Sequence, residues 1–339
     1  MRAARFQRFL DVAWLLGVVA QAAALALVAL RAVGLAPRLA LGRVGAGIVL
    51  AALASTAAWA AALPFDLAAH WQSRRYGISL AGYGSWLAGE LGGLLAQTIA
   101  LVVGVAVVMG LAGALGRRWW PAGAAGLAAI AVLVIFLQPY VTTIGDKRIG
   151  RIGGVPVYLA VVHGQTRAAN DDSIGIGPGR RIVVWDTMQR PPFGAAELRF
   201  ALHHELVHQQ RHHIWKGLAW FALLALPVAG LLELATTRRG GLARPAAVPL
   251  ALLALFVVQT AALLPLENAI SRRYEAEADW TALEQTRDPA AATRAFVGFA
   301  QTSLQQPDPP WWDYLWLENH PTLLQRAELA SAFSRRRLR

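Results

Sequence analysis

The chain has 339 residues, of which 56% are hydrophobic and only 15% charged. A water-soluble domain carries about 25% charge, so an ordinary soluble protein is excluded and a membrane protein is indicated. The absence of cysteine excludes disulfides, thiolate metal ligands and a cysteine nucleophile. The net charge of +12 sits mainly on arginines at the ends of apolar runs, where it flanks membrane segments and gives no sign of nucleic-acid binding.

Crossing a bilayer takes about 20 mainly apolar residues. Four runs, near 11–30, 44–63, 92–115 and 121–140, meet that requirement. The first follows MRAARFQR, contains Gln21 and lacks an A-x-A site ahead of a polar mature start, so it reads as a retained helix and not a cleaved signal. Residues 1–140 are thus expected to form about four transmembrane helices. From 141 the character changes. GGVPVYLAVV and RRIVVWDTM are short, apolar and β-branched, and read as strands. HGQTRAANDDSIGIGPG between them is turn-rich and too polar for lipid. Two further apolar runs, near 216–235 and 246–266, interrupt the remainder. The expected fold class is mainly α: a polytopic helical membrane protein with a small α+β domain at 141–339, split by those two spans.

RFALHHELVHQQRHH, residues 199–213, holds five of the eight histidines. Within it His204-Glu205-Leu206-Val207-His208 is an H-E-x-x-H string. On a helix, residues i and i+4 share a face, so His204 and His208 can bind one zinc ion while Glu205 reaches a water as general base. His212 continues the series but cannot join it, because its Cα would lie about 12 Å from that of His204 on a straight helix. His203, His212 and His213 are expected to supply polarity at the membrane boundary. A catalytic zinc needs a third protein ligand. NAISRRYEAEAD, residues 268–279, supplies Glu275 and, one turn on, Asp279, which suits a partner for a ligand histidine. Glu277 points to nearly the opposite face and is expected to be solvated or paired with Arg272 or Arg273. His70 and His163 are expected to be structural.

These strings resemble the integral-membrane zinc metallopeptidases that include the CAAX prenyl proteases and the HtpX heat-shock proteases. SRRYEAEAD is similar to the family's S-R-x-x-E-x-x-A-D string, which puts Glu275 at the ligand position. RRIVVWDTM resembles the strand before the zinc helix, and NHPTLLQR resembles a late His-Pro segment. LPFDLAAHWQSRRYGIS, residues 63–79, resembles the amino-terminal membrane region of the prenyl-protease branch. The resemblance implies a zincin-like (gluzincin) domain with one Zn2+ held by His204, His208 and Glu275. It also implies Glu205 and His320 as catalytic groups, with Asp279 and Arg326 behind them. The stretch around Asn170 and Ile174 is implied to dock substrate, although Asp171 and Asp172 follow Asn170 where the prenyl branch has a His-Ser-Asn-Ala-type stretch.

The expected function is a membrane-embedded zinc metalloendopeptidase acting on membrane-associated or prenylated-type peptides. An HtpX-like quality-control protease for misfolded membrane proteins and a catalytically silent zinc-containing scaffold are the alternatives. The expected partners are a peptide or membrane-protein substrate and the lipid bilayer. The expected location is a bacterial inner membrane with the active site facing the cytoplasm.

Overall fold

A computed structural model describes residues 2–337; Met1, Leu338 and Arg339 lie outside the described residues. Four long helices come first: α1 (Arg2–Leu35), α2 (Gly42–Arg75), α3 (Tyr83–Leu115) and α4 (Trp119–Thr142). Among the described residues, five helical stretches are long and apolar enough to cross a membrane: Arg2–Arg38, Gly42–Arg75, Tyr83–Thr142, His213–Arg239 and Pro245–Thr286. The third is two helices, α3 and α4, which meet at Gly116 (φ 57°). The helices run well past the apolar runs visible in the sequence. Apolarity marks only the part that meets lipid, whereas α1 and α2 continue into arginine-bearing ends. α1 packs along α2 through small residues, with Ala29, Ala32, Ala51 and Ala54 almost completely enclosed. His70, expected to be structural, is buried on α2 and stacked 5.0 Å from the Trp86 ring of α3.

A four-stranded sheet follows, in the order β1-β2-β4-β3: β1 (Lys147–Ile152), β2 (Val155–Ala160), β3 (Asp171–Ile174) and β4 (Arg181–Trp185). β2 and β4 coincide with the two strands read from the sequence. β1 and β3 do not, and β3 corrects the reading of its segment as turn alone. β1 and β2 form a hairpin closed by Gly153 and Gly154, both with positive φ (53° and 79°), as a two-residue primed turn requires. A Cβ at Gly153 would also come within 2.8 Å of Leu206 Cδ1. The alternating residues Val155, Val157, Ile182 and Val184 face inward.

Against that face lies α5 (Ala195–Gln210), which contributes Ala201 and Leu206. Its start is fixed by Glu197, whose carboxylate accepts from the Gly194 backbone N–H at 2.8 Å and from Arg294 Nε at 2.5 Å. α6 (His213–Thr236) then enters the apolar region. α7 (Val248–Val258), a π turn and α8 (Leu264–Thr286) form one continuous helical path out of it. α9 (Pro289–Ser303), α10 (Trp311–Trp316) and α11 (Leu323–Arg337) close the chain. Phe200 of α5, Leu283 of α8, Phe296 of α9 and Phe333 of α11 form a second core. α5 is therefore clamped between the sheet and a helical layer. Arg181 joins the sheet to the end of α4: its guanidinium donates to the Pro139 carbonyl at 3.1 Å and to Thr143 Oγ1 at 2.7 Å.

Candidate metal centre

α5 and α8 bring the two sequence motifs together. His204 Nε2 lies 3.1 Å from His208 Nε2 and 3.0 Å from Glu275 Oε2. His208 Nε2 lies 3.5 Å from Glu275 Oε1. A tetrahedral ion with bonds of about 2.0–2.1 Å has donor–donor edges of about 3.3 Å. The three atoms therefore sit at the spacing that one metal ion requires. Two imidazole nitrogens and a carboxylate also form a donor set suited to zinc. Glu205 Oε1 is farther out, 3.9 Å from His204 Nε2. His204, Glu205 and His208 nevertheless offer atoms that all lie within 4.8 Å of one another, so Glu205 borders the same position as the donor set.

His204 is held from behind. His204 Nδ1 lies 2.9 Å from Asp279 Oδ1. Asp279 is fully buried, and the Arg326 guanidinium grips it with two bonds of 2.7 Å. A bidentate pair of this kind fixes both position and plane. The structure thus brings Asp279 and Arg326 together next to His204. α8 also positions the segment carrying His320. Asn268 Nδ2 donates to the Trp316 carbonyl at 2.9 Å, and Arg272 Nη1 donates to the Tyr314 and Glu318 carbonyls at 2.8 and 2.6 Å. His320 Nε2 thereby reaches within 3.2 Å of Glu275 Oε2, while 41% of its side chain stays exposed.

A cleft of about 460 Å³ opens over these groups. One wall is Asn170 to Ser173, running into the edge strand β3. Asn170 lines the cleft. Ile174 does not: it is buried, and its carbonyl accepts from Gln209 Nε2 at 3.3 Å. Burial, followed by repulsion from Asp171, pushes the Glu205 carboxyl well above the usual carboxylate range. Burial likewise raises Asp171, to about 6. The cleft thus concentrates acidic groups around the donors, an environment that favours a cation.

Residues 150–333, more than half of the chain, match the sequence family described as Peptidase family M48. The chain belongs to peptidase family M48. It is 27% identical over 296 residues to an uncharacterized metalloprotease, YhfN, of Bacillus subtilis (strain 168), covering 79% of this chain and 69% of that protein. The crystal structure of S. mikatae Ste24p has the same fold, with a TM-score of 0.70 at 15% identity over 84% of this chain and 75% of that one. The M48 chain is thus a membrane metallopeptidase with the fold of Ste24p, in keeping with the resemblance carried by its motifs.

Three expectations about this M48 chain are corrected by its side-chain contacts. Glu277, 37% exposed, is partly solvated as expected but pairs with neither Arg272 nor Arg273; it faces Arg211 Nε at 3.4 Å and Lys216 Nζ at 4.0 Å. Arg272 is occupied by the carbonyls described above. His203 does not merely add polarity, since its Nδ1 meets Gln285 Oε1 at 2.8 Å. His213, at the start of α6, is buried beside His208 and does not simply present polarity to the boundary. His163, expected to be structural, pairs with Asp186, which also accepts from the backbone N–H groups of Val162 and His163.

The buried Asp279–Arg326 pair gives a direct test. Arg326→Met leaves a buried carboxylate without its cation, which costs about 3–5 kcal/mol. Thermal unfolding of the purified variant should show that loss, and Asp279→Asn combined with Arg326→Met should recover part of it. A single variant as stable as the wild type would mean that the pair is not what holds α8 to α11.

Proposed function

We propose that this chain is a zinc metalloendopeptidase that hydrolyses peptide bonds of membrane-associated substrates. The observation that carries the reading is the three-donor set of His204, His208 and Glu275 at 3.0–3.5 Å, with Glu205 beside it in an open cleft. When bound, zinc would lower the pKa of a water molecule and polarise the scissile carbonyl. Glu205 orients that water, takes its proton and passes it to the leaving amine. His320 donates to the oxygen that gains charge as the carbonyl is attacked. Asp279, held by Arg326, keeps the His204 ring in one orientation. A purely structural metal would have no need of Glu205 or of the cleft.

The substrate inferred is an extended peptide laid along the Asn170–Ser173 wall, as an added strand would be. Ile174, buried at the end of β3, helps to hold that wall and does not touch the peptide in this reading. Membrane tethering supports a substrate presented at the bilayer. α5 is separated from α6 by only Arg211 and His212, and Glu275 lies on the same helical path as α7. Prenylated-type peptides and misfolded membrane proteins are the two substrate classes to compare, and the same chemistry serves both.

We infer a cytoplasmic orientation in a bacterial inner membrane. The three arginines of MRAARFQR favour a cytoplasmic start, and four crossings by α1–α4 return the chain to that side. Lys147, Arg148 and Arg151 agree with this. Arg239 is on the opposite side, where it donates to the carbonyls of Ala29 at 2.6 Å and Ala246 at 3.4 Å, so helix-end contacts account for its place. A reporter fused at residue 160 should read cytoplasm, and an external signal would reverse the orientation.

Glu205→Gln tests the chemistry. The variant should keep its zinc, because Glu205 is not a ligand, and should lose peptide cleavage by at least about 100-fold. The assay should run a prenylated peptide and an unfolded membrane protein side by side. Cleavage at the wild-type rate would end the proposed role of Glu205.

A further inference from the structure

His204 has Asp279 behind it, and the second imidazole of the donor set has its own support. His208 Nδ1, the nitrogen turned away from the donor set, lies 3.1 Å from His213 Nδ1. The other nitrogen of His213 lies 3.4 Å from Glu277 Oε2. Glu277 is held in turn by Arg211 and Lys216. The His213 ring is buried and stacked on Tyr274, with centroids 4.7 Å apart and planes 17° from parallel. Tyr274 is pinned by Trp220, whose Nε1 donates to its hydroxyl at 3.0 Å. His213 therefore has little freedom to turn away.

The backbone is shaped to bring this ring into place. On an unbroken helix a residue five positions after His208 would point about 140° away from it. α5 ends at Gln210, and His212 adopts the left-handed conformation (φ 57°, ψ 36°) before α6 begins at His213. That single residue folds the start of α6 back over the last turn of α5. Left-handed backbone is strained for a residue with a side chain.

The protonation pattern follows from the geometry. An imidazole that presents the lone pair of Nε2 to a metal keeps its proton on Nδ1. His208 then donates from Nδ1, and His213 Nδ1 must accept. The proton of His213 therefore sits on Nε2, facing Glu277. We propose that His213 is a positioning residue for His208, and that Glu277 fixes its tautomer. This inference rests on the reading of His208 as a metal ligand. α8 would then support both ligand histidines, His204 directly through Asp279 and His208 indirectly through Glu277. The second arm ends on Arg211 and Lys216, at the point where α6 enters the apolar region.

The test is zinc affinity of the full-length protein in detergent, measured by competition with a chelator. His213→Phe keeps a ring against Tyr274 but removes the acceptor, and should weaken Zn2+ binding about 10–100-fold. His213→Asn retains an acceptor near Nδ1 and should recover most of that loss. Thermal unfolding of the metal-free proteins should be alike for the two variants. His208→Ala tests the underlying reading and should lose Zn2+ binding altogether. If His208→Ala abolishes binding while His213→Phe stays within twofold of wild type, His213 has no positioning role and the ligand reading stands. If His213→Asn binds as weakly as His213→Phe, packing and not the acceptor is responsible, and the proposal fails. If His208→Ala binds as wild type, the ligand reading falls and this inference falls with it.

Discussion

Packing of α5 against α8 encloses His204, Glu205, Glu275 and Asp279, groups that water would otherwise solvate. Such groups repel one another or lose hydration when buried, and each needs a partner. The partners are supplied in two layers. The histidines and Glu275 face one another at metal-ligand spacing, and Asp279 and Arg326 close the charge behind them. Two cores flank α5. The sheet supports one side of α5 through Val157, Val184 and Leu206, and α9 and α11 support the other through Phe200, Phe296 and Phe333. Glu197 fixes where α5 starts, and Gly153 of the hairpin turn lies so close to Leu206 that a Cβ there would come within 2.8 Å of it.

The same arrangement ties the site to the bilayer. α5 passes into α6 through a break of two residues, and α8 continues the path of α7 through a π turn. That π turn leaves the Thr260 carbonyl to accept from Trp316 Nε1 at 2.9 Å, so α10 is fastened to the membrane-proximal end of the path. Asn268 and Arg272 hold the next stretch, up to His320. The donor set is thus joined to the membrane helices through short or continuous helical connections, and the loop carrying His320 is fastened to them by these hydrogen bonds.

Much of this was legible in the sequence, for physical reasons that can be named. The spacing of His204 and His208, and of Glu275 and Asp279, puts each pair on one helix face whatever surrounds them. β2 and β4 announce themselves by β-branched residues that alternate inward. β3, with the sequence Asp-Asp-Ser-Ile, carries no such pattern because it is an edge strand whose Asp171, Asp172 and Ser173 line a polar cleft. β1 is exposed along nearly its whole length, so no apolar face marks it. His213 was hidden because its place depends on one left-handed residue, and no periodicity survives a broken helix. Glu277 was given the wrong partners because Arg272 is drawn off by carbonyls of a segment more than forty residues away. The helix ends were underestimated because hydropathy reports contact with lipid and not the length of a helix.

The central claim is that His204, His208 and Glu275 jointly hold one zinc ion. Anomalous X-ray diffraction at the zinc edge, from crystals of the purified protein, tests it most directly. The account predicts a single strong peak per chain, about 2.0–2.1 Å from the two Nε2 atoms and from a Glu275 oxygen. A zinc peak bound elsewhere on the chain, or a protein that takes up no zinc at this position, would contradict it.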